Sequence, residues 1–221
     1  MSEIQVVVTL GLEEGLLERI HVVDPRLRVT VLSRGQRRAY RGGRPVWAGY
    51  NEPPEPGEES EEEAQRKLDS ILAEAEVVFT SPIIPPDIVA RAPRLRWVQL
   101  TSAGVDRLLD SELLRSDVMV TTASGIHAVP ISEYIIGLML AFAKGLPKAS
   151  LAKGERTWRP YIADEMEGRT AGIIGVGAIG ARTALLAKAL GTREHRQRNA
   201  GVDAADHLFQ LSREREGGSH E

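Results

Sequence analysis

The feature that most limits how this chain can fold is its repeated switch of apolar period. Five short runs read as strands: Ile4–Leu10, Leu27–Leu32, Glu76–Thr80, Leu95–Leu100 and Val118–Thr122. Helical spacing lies between them, over Leu12–Ile20, Ala64–Ala75, Asp87–Arg91 and Val105–Leu114. Strands that alternate with helices form a parallel sheet with helices packed on its faces. Residues 1–123 therefore read as a complete doubly wound α/β domain. Arg34–Gly43 is basic and glycine-containing and reads as loop. Asn51–Gly57 holds three prolines, which fix φ and remove donors, so regular structure is excluded there. The acidic run Glu58–Glu63 suits the positive end of the helix that follows, and a solvated helix start explains it without a docking role.

Beyond residue 123 the pattern changes. Ile131–Leu146 is apolar on nearly every face, with Ser132 placed to cap its start. Such a helix is buried, either between domains or in a subunit interface. Lys148–Tyr161 is mixed, with Trp158 as its only large anchor. Then Gly175-Val176-Gly177-Ala178-Ile179-Gly180 spells G-x-G-x-x-G between a strand, Ala171–Ile174, and a helix, Ala181–Leu190. That context is what the dinucleotide fingerprint requires. Gly175 makes the tight turn, Gly177 lets a pyrophosphate approach the backbone, and Gly180 lets the helix pack close to the strand. The free amides at the helix start then face the phosphates.

The fingerprint also calls for an acidic residue about 20 residues on, at the end of a second strand. The sequence after Gly191 is TREHRQRNAGVDAADHLFQ. It is polar, has no β-branched residue between Arg193 and Val202, and does not read as a strand. Arg198 could meet a 2′-phosphate only if this segment formed that strand.

Composition narrows the function classes. The 221 residues carry 28 Lys+Arg against 31 Asp+Glu, a net charge of -3. A general nucleic-acid binder would show a basic patch or a pI above ~9. With no Cys there are no disulfides, thiolate metal sites or thiol nucleophiles. The N-terminus has no basic segment before its apolar run, and Tyr134–Ala143, the longest apolar run, is about half the ~20 residues of a membrane span. A cytoplasmic protein with no membrane or nucleic-acid partner is expected.

Three segments in order resemble the D-isomer-specific 2-hydroxyacid dehydrogenases: Leu95–Asp106 (LRWVQLTSAGVD), Thr121–Leu140 (TTASGIHAVPISEYIIGLML) and Glu167–Gly191 (EGRTAGIIGVGAIGARTALLAKALG). The resemblance implies a flavodoxin-like substrate domain over 1–123 and the first part of a Rossmann NAD(P)-binding domain over 124–191. It implies reversible hydride transfer between NAD(H) or NADP(H) and C2 of a 2-hydroxy or 2-oxo acid. By the same resemblance, backbone amides of Ser102, Ala103 and Gly104 hold the substrate carboxylate. Gly175, Gly177, Ala178, Ile179 and Gly180 hold the cofactor. A homodimer through Ile131–Leu146 is also implied.

The family's catalytic Arg, acidic residue and His lie downstream of the fingerprint, and no residue of this chain matches them. The resemblance breaks off at Gly191. This leads to the expectation of a C-terminally truncated or divergent relative with a poorly ordered tail over 192–221, arising by truncation or frameshift. Two alternatives are an inactive remnant that keeps the substrate fold and the dimer helix, and a non-enzymatic flavodoxin-like interaction module. His127 reads as a packing or hinge residue, His21 as surface, and Glu133 as a structural hydrogen-bonding residue. His195, His207 and His220 have no metal-ligand spacing.

Overall fold

The computed structural model describes residues 2–42, 57–197 and 211–212. It divides into two compact units, Met1–Ser124 and Gly125–Glu221.

The first unit is a five-stranded parallel sheet of order β2-β1-β3-β4-β5. The strands are β1 Ile4–Val8, β2 Leu27–Val31, β3 Val77–Thr80, β4 Trp97–Leu100 and β5 Met119–Thr121. The register is unbroken between neighbours, with Val6 opposite both Val29 and Val77. Among the described residues, five helices accompany them: α1 Glu14–Val23, α2 Arg34–Arg41, α3 Glu61–Glu74, α4 Ile88–Arg91 and α5 Glu112–Arg115. Side chains alternate across the sheet because the strand period is two. Val7, Val78, Val98 and Leu100 join Leu68, Leu72, Ile88 and Leu113 in one core. Val6, Val8, Phe79 and Trp97 instead line a groove of about 580 Å³ beside Leu16 and Ile20 of α1.

Of the segment Arg34–Gly43, expected as loop, Arg34–Arg41 forms α2. The reason is local. The Ser33 hydroxyl accepts from the Gln36 amide at 3.2 Å, and the Gln36 side chain accepts from the Ser33 amide at 2.9 Å. This capping box satisfies two donors that would otherwise have no partner. Gly42, at φ 58°, closes the helix in the left-handed conformation that glycine adopts at least cost. The stretch expected as one helix over Val105–Leu114 is instead a 3₁₀ turn at Asp106–Leu108 followed by α5, which is capped by Ser111. In the acidic run, Ser60 caps α3, Glu58 pairs with Arg38, and Glu59 pairs with Lys67. The proline-rich stretch, apart from Gly57, lies outside the described residues.

The second unit contains α6 Ala128–Ala143, α7 Leu146–Gly154, β6 Thr170–Ile174, α8 Ala178–Ala189, β7 Arg193–Gln197 and β8 Leu211–Ser212. Its sheet has the order β7-β6-β8, with β6 in the centre. Met139, Met166 and Ala171 form its core, and Ile135, Ile136, Leu140 and Leu190 pack around them.

One expectation for α6 changes, and in the single chain its apolar surface is only partly covered. Ser132 lies one turn inside the helix, buried, with its hydroxyl donating to the Val129 carbonyl at 2.9 Å, and His127 stands at the N-cap without a side-chain cap bond. The helix is also not buried all round. Ile131, Tyr134, Leu138 and Phe142 recur at helical spacing on an exposed stripe. Trp158 is no anchor either, being 92% exposed. No single helix among the described residues is long and apolar enough to cross a membrane.

The segment after Gly191 is the main correction to the sequence reading. Residues 193–197 form β7, parallel to β6 and paired from Thr170↔Arg193 to Ile174↔Gln197. The cause lies at the end of α8. Gly191 takes φ +75°, its amide donates to Lys188, and the Thr192 amide donates to Ala187. This is the Schellman arrangement, which needs a left-handed residue just past the helix end. It turns the chain back so that the Arg193 amide meets the Arg169 carbonyl at 2.7 Å. β7 pairs through its backbone at a sheet edge, where charged side chains are tolerated. Of the tail expected to be poorly ordered, 198–210 and 213–221 lie outside the described residues.

Candidate cofactor site and substrate loop

The cofactor candidate is built by the β6–α8 junction. β6 emerges from the core with Ala171 and Ile173 buried, and the chain must turn at once into α8. Gly175 makes that turn at φ +87°, a region that side chains with a Cβ rarely enter. Gly180 sits one turn into the helix region, pressed against the strand. A Cβ there would lie 2.1 Å from the Gly175 carbonyl oxygen and 3.4 Å from Ile173 Cγ2. Gly177 differs from both, because a Cβ on it would meet nothing within 4 Å. Its openness leaves room for an approaching ligand rather than for a packing neighbour.

Gly177 is also the N-cap of α8 and has no side chain to satisfy the helix start. The first intrahelical bond runs from the Ala181 amide to the Gly177 carbonyl at 2.9 Å. The amides of Ala178, Ile179 and Gly180 therefore have no partner in the preceding turn. Among the described residues these three donors have no acceptor, and their place at the positive end of a 12-residue helix suits an anion. The residues present fit a dinucleotide pyrophosphate in donor type and in free space.

In the first unit, Ser102-Ala103-Gly104 follows β4 at its carboxyl end, the side of an α/β sheet on which ligands bind. The Ser102 hydroxyl donates to the Gly104 carbonyl at 2.8 Å, and the Ser102 carbonyl accepts from the Ala123 amide at 2.9 Å. These bonds hold the loop while Ala103 and Gly104 stay exposed. A Cβ on Gly104 would lie 2.6 Å from Asp106 Oδ2, so only glycine fits without displacing that carboxylate. Nearby, the strand winding reverses between β1 and β3. A buried hydroxyl pair closes this point, with Thr9 Oγ1 donating to Thr80 Oγ1 at 2.7 Å.

The remaining candidates separate. His127 is exposed rather than packed, and so is His21. Glu133 is exposed and has no hydrogen-bond partner among the described residues, so its expected structural role is not seen. His195 falls on β7, while His207 and His220 lie outside the described residues. No cluster of three metal-ligating side chains occurs among the described residues. Sequence reasoning missed β7. The available signal was Gly191 directly after an apolar helix, the usual mark of a left-handed helix end.

A family model for the NAD-binding domain of D-isomer-specific 2-hydroxyacid dehydrogenases matches residues 136–205, a span that includes α8 and β7. The glyoxylate reductase of Aeropyrum pernix is 32% identical over 159 residues, covering 67% of this chain and 44% of that protein. The D-3-phosphoglycerate dehydrogenase of Methanocaldococcus jannaschii is 31% identical over 121 residues, covering 54% of this chain and 23% of that protein. A structure of a D-isomer-specific 2-hydroxyacid dehydrogenase family protein from Aeromonas salmonicida superposes with a TM-score of 0.65 at 25% identity, covering 88% of this chain and 53% of that one.

The family these matches share is that of the D-isomer-specific 2-hydroxyacid dehydrogenases.

The chain spans less than half the length of these two curated relatives. The match to this dehydrogenase family extends past Gly191 and through β7, the point at which the sequence reading placed its divergence. Proteins of the family are NAD-dependent, and the matched domain is their NAD-binding domain.

Proposed function

We propose that this chain takes part in reversible hydride transfer between the nicotinamide of NAD(H) or NADP(H) and C2 of a 2-hydroxy or 2-oxo acid. The observation that carries the reading is the open turn at Gly177, with three free helix-start amides behind it. Gly175, Gly177, Ala178, Ile179 and Gly180 would hold the pyrophosphate. When bound, the cofactor supplies the hydride chemistry, while protein residues bind and orient. The exposed amides of the Ser102–Gly104 loop would hold the substrate carboxylate, as a strand-end loop can do for an anion. The proposal includes a cytoplasmic setting, which rests on the dehydrogenase-type fold alone.

It also includes a homodimer through Ile131–Leu146. The support is the exposed apolar stripe of α6, with Tyr134 at 68% and Phe142 at 71% exposed in the single chain. Apolar area of this kind marks interaction surfaces.

The test is to mix the purified chain with NADH or NADPH and a panel of 2-oxo acids and follow absorbance at 340 nm. Calorimetric titration with each nucleotide runs alongside. Turnover supports the whole reading. Binding without turnover restricts the chain to the cofactor-binding part of the reaction, and no binding rejects it.

A further inference from the structure

We infer that the groove between α1 and the sheet of the first unit binds a free fatty acid, a single apolar chain with an anionic head group. The groove takes no part in the proposed hydride transfer. Parallel sheets are normally covered on both faces. Here α3, α4 and α5 pack against one face. The other carries two rows across three strands, Val6–Val77–Trp97 and Val8–Phe79–Gln99. The only helix lining it is α1, through Leu12, Leu16, Ile20 and Val23 at helical spacing. The space between helix and sheet is about 580 Å³, the size of a small-molecule site. Trp97, on the floor, is 39% exposed.

The chemistry of the walls selects the ligand. The polar atoms on the floor are already used. Trp97 Nε1 donates to Thr121 Oγ1 at 2.7 Å, that hydroxyl donates to Gln99 Oε1 at 2.7 Å, and Gln99 Nε2 donates to the Leu100 carbonyl at 2.8 Å. A sugar or nucleotide would bury polar groups there without partners, which costs affinity. An alkyl chain loses no partner and gains the burial of each methylene. Among the described residues, the one charged side chain lining the groove is Arg19. It is exposed, and no carboxylate pairs with it among those residues. Its guanidinium stays charged at every working pH. A cation at the wet edge of an apolar slot suits a carboxylate head whose chain lies along the floor. A bilayer surface cannot follow the chain into a groove bounded by α1, so the ligand enters as a single molecule.

The experiment follows Trp97 fluorescence in the 221-residue chain carrying Trp47→Phe and Trp158→Phe, which leaves Trp97 as the single reporter. The chain is titrated with octanoate, decanoate and dodecanoate below their micelle concentrations, with calorimetry on the parent alongside. A saturable blue shift is expected, each added methylene tightening binding by about 2- to 4-fold. Arg19→Glu, at an exposed helix position, is expected to weaken dodecanoate by about 3- to 10-fold and to leave the thermal midpoint in place. Dodecylammonium is expected to bind the parent more weakly than dodecanoate does, and Arg19→Glu more tightly. No saturable change with any of the acids, or an affinity independent of chain length, overturns the groove as their site. An affinity unchanged in Arg19→Glu overturns the anionic head group. Trp97 emission that moves with protein concentration rather than with acid gives the groove to a second copy and overturns the ligand.

Discussion

Gly180→Ala probes the β6–α8 junction most sharply. The added Cβ would stand 2.1 Å from the Gly175 carbonyl oxygen, 3.2 Å from its carbonyl carbon and 3.4 Å from Ile173 Cγ2. Ordinary contact is ~3.5 Å, so the first of these is short by roughly 1.4 Å. The obstructing atoms are backbone and cannot swing aside as a flexible side chain would. Either α8 lifts from β6 or the Gly175 turn deforms. Overpacking of this kind costs about 1–3 kcal/mol. The alanine itself favours the helix by at most about 1 kcal/mol, which offsets part of that cost.

Urea denaturation followed by far-ultraviolet circular dichroism measures the difference. The control is Gly177→Ala, whose Cβ meets nothing within 4 Å. Its stability is expected to fall by no more than about 1 kcal/mol, the cost of alanine at an N-cap, while its dinucleotide affinity falls. If Gly180→Ala is as stable as the parent, the close helix–strand contact is not the reason for glycine at that position.

Other outcomes follow from single groups. Asp24 accepts from Arg26 through its side chain and backbone, which lowers its pKa from 3.8 to about 2. Its contribution to stability is therefore present above pH ~4 and lost as pH falls toward 2; carbon-detected NMR titration should find it near 2, and Arg26→Ala should return it toward 3.8. Burial pushes the Tyr40 phenol well above its usual 10. The unfolded chain then releases this proton near pH 10 while the folded chain keeps it, so stability falls as pH rises beyond 10; Tyr40→Phe should flatten that alkaline loss in urea melts at pH 9 to 11. Ser33→Ala removes the cap of α2 and is expected to cost ~1 kcal/mol, with Gln36→Ala adding less than its single-mutant effect because the two share one capping box. Phe142→Glu places a charge in the exposed stripe of α6 and should convert a dimer to a monomer by light scattering; a parent already monomeric at micromolar concentration contradicts the interface.

Much of the first unit was legible because its strands are rich in β-branched and apolar residues and most of its helices carry a clear stripe. Val7 and Val8 are both buried although they point to opposite faces, so β1 reads as an unbroken apolar run. Elements with few apolar residues, whose ends are set by caps and backbone turns, were not legible. α2 has Arg at positions 34, 37, 38 and 41, buries a single large apolar side chain, Tyr40, and is bounded by the Ser33–Gln36 box and Gly42. β7 has no apolar residue at all and depends on the Gly191 turn to reach β6. Two glycines of the motif were legible, since Gly175 takes the left-handed turn and Gly180 abuts the strand. What covers the helix over Ile131–Leu146 was not legible for another reason. Composition shows that a surface is apolar but not what covers it, and in the single chain Met139 is buried while Phe142 is not.

The central claim is that the start of α8 is a dinucleotide phosphate site. Amide NMR of the nitrogen-15-labelled chain during titration with NADPH and NADH tests it directly. The account predicts saturable shifts centred on the amides of Gly177, Ala178, Ile179 and Gly180, abolished by Gly177→Val. Titration to millimolar nucleotide with those four amides unmoved would contradict it.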